Sequence, residues 1–265
     1  MRLLGEERRC YDLYAGVSVG ALVAAHLAQY KAGEEAQAAA DLHTLFTPIE
    51  DRHIYHAWRP FGVFEVPWQP SIFTASPLRR LIKKSLDTTR VQTSGKKLRI
   101  GATSLNTGCF RLFDETFSDL HAAVYASAAY PVAFEPGELL GEWWTDGGVR
   151  SVTPIEAAIR AGATHIDVVL CAPEKSEHAV YRSEPRALTT TLRTLDLMSD
   201  QIISDDVKKA QLYNRLVEAG AEMFKRKIEM CVIRPERVLN DNSLRFEPLE
   251  AVRLQKLGYE DARRR

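Results

Sequence analysis

The sequence predicts an α/β protein, a three-layer α/β/α sandwich on a mainly parallel central sheet, folded as a single domain over residues 1–265. Two passages and the composition carry that expectation. Near the start, the apolar run Tyr11 to Ala15 reaches Gly16 and gives way to the alanine-rich stretch Ala21 to Tyr30, with Gly33 just beyond. That order is strand, tight turn, helix and glycine stop. In the middle, Trp143-Trp144-Thr145 ends in Asp146-Gly147-Gly148, Pro154 opens a helix over Ile155 to Ala161, and His165 to Cys171 follows as an apolar strand. A strand, loop, helix and strand in that order predict a parallel crossover. With 45% hydrophobic and 26% charged residues, the chain can bury a sizeable core and is not disordered by composition.

The elements between these passages follow from local signals. A helix is expected over Glu34 to Leu45. Asp51 to Pro70 holds His53, Tyr55, His56, Trp58, Phe61, Phe64 and Trp68 between prolines, and reads as an irregular aromatic surface loop. Such a loop caps the core in the plain reading and forms a lid or interfacial anchor in the functional one. Ser76-Pro77 places a capping residue before a proline at the first helical position, so Leu78 to Leu86 should be a basic amphipathic helix. Its Leu78, Leu81, Ile82 and Leu86 should face inward, leaving Arg79, Arg80, Lys83 and Lys84 to solvent or to phosphate head groups.

Leu98 to Leu105 and Cys109 to Phe113 flank Asn106-Thr107-Gly108 as a hairpin would. Ser118 is placed to cap a helix that runs to Ala129 and stops at Pro131. Residues 186–265 are expected to be helical with one more strand. Arg186 to Ala219 carries apolar residues at helical spacing, although its polar middle and Gly220 could divide it. Ile228 to Ile233 reads as a strand and Phe246 to Leu257 as a terminal helix.

Charge and cysteine usage exclude several classes of function. Thirty-five basic and thirty-five acidic residues cancel, so no net field draws the chain to nucleic acid. No stretch of about 18 apolar residues exists to cross a membrane, and a cytoplasmic location is expected. Cys10, Cys109, Cys171 and Cys231 are scattered without CxxC spacing, which predicts free thiols, mostly buried, and no zinc site. No metal or cofactor is expected.

Gly16-Val17-Ser18-Val19-Gly20 matches G-x-S-x-G, a pattern that presents a serine hydroxyl on a strained turn at a helix N-terminus. There the helix dipole favours developing negative charge, and the Val19 N–H is an oxyanion-donor candidate. By itself the pattern also describes a glycine-rich turn. A serine needs a base, and neither His165, at the start of a strand, nor His178, in a charged loop, follows a strand end as a catalytic histidine would. Asp146, at a strand end and followed by Gly147 and Gly148, offers a different base, although Asp-Gly is also a common turn.

Taken in order, three segments resemble the patatin-like phospholipase family: Tyr11 to Ala25 with the serine elbow, Tyr125 to Pro136 with Pro131 and Phe134, and Trp144 to Ala163 with Asp146-Gly147-Gly148. The resemblance is strongest over residues 10–172. It implies a Ser18–Asp146 dyad without histidine, acting on fatty-acyl esters of phospholipids or other lipids, with transient contact at a membrane surface. An esterase for soluble acyl esters and a catalytically silent scaffold of the same fold are the alternatives. The family's glycine-rich oxyanion loop, upstream of the elbow, has no counterpart here. The expectation is therefore that the first strand and this loop lie before Met1, with Met1 to Arg9 as the tail of the helix that follows them.

Overall fold

The computed structural model describes residues 10–58, 69–174, 186–220, 227–239 and 244–264. Strand β1 (Leu13–Val17) turns at Ser18 directly into helix α1 (Val19–Leu27). Helices α2 (Glu35–Phe46) and α3 (Asp51–Ile54) follow, then the short paired strands β2 (His56–Ala57) and β3 (Phe73–Thr74), and helices α4 (Ser76–Ser85) and α5 (Thr88–Thr93). Next come β4 (Lys97–Ser104), β5 (Phe110–Asp114), α6 (Leu120–Ser127), β6 (Gly137–Leu139) and β7 (Glu142–Asp146), which ends in a single 3-10 turn at Gly147–Val149. Helix α7 (Ile155–Arg160), β8 (His165–Val169), α8 (Ala187–Glu218), β9 (Glu229–Ile233) and α9 (Pro248–Arg263) complete the described chain.

The central sheet is mixed, and β4 is its axis. One edge of β4 pairs with β5 as an antiparallel hairpin. Two strands share the other edge: β1 runs parallel to β4 until Val17 lies level with Gly101, and β7 runs antiparallel from the opposite direction until Asp146 lies level with Ala102. The carboxyl ends of β1 and β7 therefore meet head to head at adjacent positions of β4. This register brings together two motifs more than a hundred residues apart.

Helices cover both faces of β1, as alternation along a strand requires. Tyr14 packs into the larger core, where Leu98, Ile100 and Ala102 of β4 meet α1, α4 and α6. Leu13 packs into a second core formed by α7, β8, β9 and α8, including Ile155, Val168 and Val207. The buried face of α1 is Ala21, Ala24, Ala25 and Ala28, small enough for close approach of helix to sheet.

Most elements form where the sequence places them, and the α/β architecture stands. The departures have local causes. The crossover from Asp146 to Cys171 does not close in one sheet: β7 is antiparallel to β4 and β6, and β8 pairs in parallel with β9 in a separate two-stranded sheet. Strand β6 is an addition, joined to β7 by a turn at Leu140 and Gly141 with φ of 56° and 74°, a geometry usually signalled by Asn-Gly. Caps are shifted too. Ala75, not Ser76, precedes α4, and Asp119, not Ser118, caps α6 by accepting the Ala122 N–H at 3.0 Å. Asp87 caps the additional helix α5 by accepting the Arg90 N–H.

The aromatic stretch is more ordered than a loop over its described part. Tyr55 stacks against Phe73 and Phe134, and Trp58 donates to the Ser71 carbonyl at 3.0 Å. Phe61, Phe64 and Trp68 lie outside the described residues. Helix α8 runs unbroken for 32 residues and ends just before Gly220, whose φ is 77°. The four cysteines are free, but Cys10, Cys109 and Cys171 are exposed and Cys231 is half-buried, a correction to the expectation of buried thiols. His165 is a surface residue paired with Glu229 at 2.9 Å, whereas His178 lies outside the described residues.

Candidate active site

Ser18 sits between the last residue of β1 and the first of α1 with φ 58° and ψ −128°, a conformation that a side-chain-bearing residue adopts only under constraint. The constraint is visible. Its N–H donates to Ser127 Oγ at 3.0 Å, and the same hydroxyl donates to the Gly101 carbonyl at 2.6 Å, so α6 and β4 clamp the turn. A Cβ on Gly16 would fall 2.0 Å from the Gly20 carbonyl oxygen, so residue 16 must be glycine. The same test at Gly20 meets nothing within 4 Å, so its backbone, not a shortage of space around it, makes the close contact. The Val19 N–H belongs to the first turn of α1, whose donors the helix leaves without internal acceptors.

Asp146 ends β7 and is 3% exposed. Its Oδ1 accepts the Gly148 N–H at 2.7 Å. Its Oδ2 is buried and has no hydrogen-bond partner among the described residues, although the Ser18 hydroxyl approaches closely enough to favour the carboxylate. Burial dominates: it pushes the Asp146 carboxyl up to about 6, against smaller opposing effects from Ser18 and the Gly148 N–H. The glycines that follow are required by space. A Cβ on Gly147 would lie 2.4 Å from the Gly101 carbonyl oxygen, and one on Gly148 3.1 Å from Asp146 Oδ1.

Beside this pair opens a cavity of about 670 Å³ with Ser18 in its wall. Its lining is chiefly apolar, with Leu22, Leu42, Phe46, Ile82, Val124 and Phe246 among the contributors. That volume lies within the range of small-molecule sites. Helix α9 contributes Ala251 and Leu254 to the wall. The segment before it is tied down by Tyr55 Oη donating to the Leu244 carbonyl at 2.8 Å and by the Phe246 N–H donating to Asp51 Oδ1 at 2.7 Å.

A family model for patatin-like phospholipases matches residues 1–159, well over half of the 265-residue chain. The chain belongs to this family. Membership supports hydrolysis of lipid esters as its general chemistry. In this member of the family, the register of β1 and β7 on β4 brings the segment of Gly16, Ser18, Val19 and Gly20 next to that of Asp146, Gly147 and Gly148. Met1 to Arg9 lie outside the described residues. Among the described residues, no group of His, Cys, Asp or Glu could hold a metal ion, and no helix is long and apolar enough to cross a membrane.

Three contributions escaped the sequence. Ser127 is one of several small residues in an alanine-rich helix, and its hydroxyl's bonds to the Ser18 N–H and the Gly101 carbonyl separate it from them. Tyr130 lines the cavity and donates to Asp196 of α8 at 2.8 Å; burial, reinforced by Asp196 and Asp146, holds its phenol far above the ordinary range. Asp206 of α8 accepts from the Thr153 N–H at 3.1 Å and the Ser151 hydroxyl at 3.2 Å, pinning the segment that leaves the Asp146 turn. Helix α8 thus braces the site as well as covering a sheet. Of the basic residues on α4, Arg79 is engaged with the Tyr125 ring and Glu135, while Arg80, Lys83 and Lys84 remain exposed.

Proposed function

We propose that the chain is a serine acyl hydrolase that cleaves fatty-acyl esters of phospholipids or related lipids, with Ser18 as nucleophile and Asp146 as general base. The observation that carries the proposal is the pairing of a serine on a strained helix-entry turn, in the wall of an apolar cavity, with a buried carboxylate lifted to about 6. An ordinary aspartate, near pH 3.9, is a poor base for a hydroxyl, and each unit of upward shift improves its driving force while leaving it ionised at neutral pH.

In the proposed cycle, Asp146 Oδ2 accepts the Ser18 hydroxyl proton as Oγ attacks the ester carbonyl. The resulting oxyanion lies at the N-terminus of α1, where the Val19 N–H donates and the helix dipole is favourable. Collapse breaks the bond to the leaving alkoxide, which takes the proton from Asp146. Water then repeats the sequence on the acyl-enzyme with Asp146 again as base, releasing the fatty acid. The acyl chain occupies the apolar cavity, and its burial supplies binding energy remote from the reacting bond.

Because the base must be ionised, kcat/KM for a fatty-acyl ester should rise as pH increases through about 6 and then level off. A pH–rate profile on a long-chain lysophospholipid, with Ser18→Ala as the blank, tests this. A flat profile from pH 5 to 8, or activity that survives Ser18→Ala, counts against the dyad.

A further inference from the structure

A second cluster of reactive side chains lies away from Ser18, at the opposite end of β1. Lys96, directly before β4, is 6% exposed, although an ammonium group is seldom buried unless it is paired. Its Nζ donates to the Tyr11 carbonyl at 2.7 Å and to Cys10 Sγ at 2.9 Å, and lies 3.9 Å from Glu35 Oε1. Glu35 is itself buried and accepts the Gly33 N–H with both carboxylate oxygens. Burial raises its pKa, but the Gly33 and Glu35 N–H groups, Cys10 and Lys96 outweigh that and hold the carboxyl below its usual value, so it is ionised at pH 7.

The ion pair with Glu35 accounts for the burial of the lysine charge, but it does not account for the thiol. Cys10 is exposed, so its sulfur meets solvent on one side and a buried amine on the other. Cys109 and Cys171 are exposed as well, but among the described residues neither sulfur has an amine in hydrogen-bond contact. An oxidised cysteine sulfur is an electrophile, and a neighbouring nitrogen can condense with it to a sulfenamide. At Cys10 the nitrogen is already in contact with the sulfur, and a carboxylate beside it can take its proton.

We propose that Cys10 and Lys96 are a modification site, at which hydrogen peroxide produces a covalent sulfur–nitrogen cross-link. In the first step the thiol sulfur attacks peroxide: an S–O bond forms, the O–O bond breaks, sulfur is oxidised to the sulfenic acid, and peroxide is reduced, its second oxygen leaving as water. In the second step Lys96 gives one ammonium proton to Glu35 and the free amine attacks the sulfur. The N–S bond forms, the S–O bond breaks, and hydroxide leaves as water with a further proton from the nitrogen. The bond joins the segments that lead into β1 and β4 where they begin to pair, since the Lys97 N–H donates to the Asp12 carbonyl at 2.8 Å and Leu13 lies level with Lys97. It closes the long loop between residues 10 and 96, a constraint that removes entropy from the unfolded chain. The inference is independent of the role of Ser18.

The full chain is treated with hydrogen peroxide, remaining thiols are alkylated, and a digest is mapped by mass spectrometry. The expected product is a peptide pair linked through Cys10 and Lys96, about 2 Da lighter than the two free peptides together, which separates on treatment with dithiothreitol. Dimedone added with the peroxide should label Cys109 and Cys171 and largely spare Cys10. In Lys96→Arg, which keeps the positive charge without the nucleophilic amine, the dimedone label on Cys10 should rise severalfold. The melting temperature of the oxidised native chain should rise by several degrees and return on reduction, with no such rise in Cys10→Ser. The inference is overturned if Cys10 in the native chain takes dimedone as fully as Cys109, if it is recovered only as a sulfinic acid or a disulfide, or if the linked peptides retain the peroxide oxygen. Because the linked peptides are read on the native chain, the result stands even if Lys96→Arg does not fold.

Discussion

Replacing Asp146 with Asn keeps the shape of the side chain and its acceptor for the Gly148 N–H, but removes the charge. In the folded chain the carboxyl is lifted from 3.8 to about 6, chiefly by burial, so the native state holds this proton more tightly than the unfolded chain does. Below about pH 4 both states are protonated and the shift has no effect on stability. Between about pH 4 and 6 the unfolded chain ionises first and stability is lost; above about 6 the loss is complete. Two units at about 1.4 kcal/mol each make the loss about 3 kcal/mol. The Asn variant does not ionise, so its stability relative to the native chain should grow by about 2 to 3 kcal/mol between pH 4 and 8. Parallel urea titrations of the two proteins at pH 4, 6 and 8 measure this directly. The same variant should lose about ten-thousandfold in kcat, as loss of the charge from a serine site's acid–base unit typically does. A stability gap that stays flat across this range, or narrows as pH rises, would refute the argument that Asp146 is a desolvated base.

The remaining predictions concern the turn and the cavity. Gly16→Ala should unfold or displace the turn, because its Cβ would sit 2.0 Å from the Gly20 carbonyl oxygen, whereas Gly20→Ala meets open space and should stay folded. Thermal melts should show a loss of several degrees for the first and no loss for the second. Leu81→Trp narrows the cavity from α4, and its effect should depend on chain length. Denying burial to two methylenes costs about 1.6 kcal/mol, so the palmitoyl-to-butyryl ratio of kcat/KM should fall roughly tenfold with butyryl turnover little changed. An equal loss on both esters would move the acyl chain out of this cavity.

The site was more legible in the sequence than the sheet that holds it. Serine in G-x-S-x-G and aspartate before two glycines are patterns in which the required backbone geometry dictates residue type. The structure gives that requirement a distance at Gly16 and Gly147. What spacing could not show is why the two motifs meet. That follows from the end-to-end placement of β1 and β7 on one edge of β4, a long-range register with no local signature. The β6–β7 hairpin went unread because Leu140-Gly141 makes its turn without the usual asparagine. Ala75 and Asp119 displaced the caps expected at Ser76 and Ser118 because a cap is decided by where the helix packs, a tertiary matter. The support from α8 depends on single side chains, Asp196 and Asp206, in a helix whose composition reads only as amphipathic and polar.

The central claim, that Ser18 is a nucleophile activated by Asp146, is tested most directly by treating the folded protein with a fluorophosphonate and mapping the modified residue by mass spectrometry. The account predicts a single adduct, on the peptide carrying Ser18, that forms at a much reduced rate in Asp146→Asn and is absent from Ser18→Ala. A folded chain that takes up no probe, or an adduct that persists in Ser18→Ala, would contradict it.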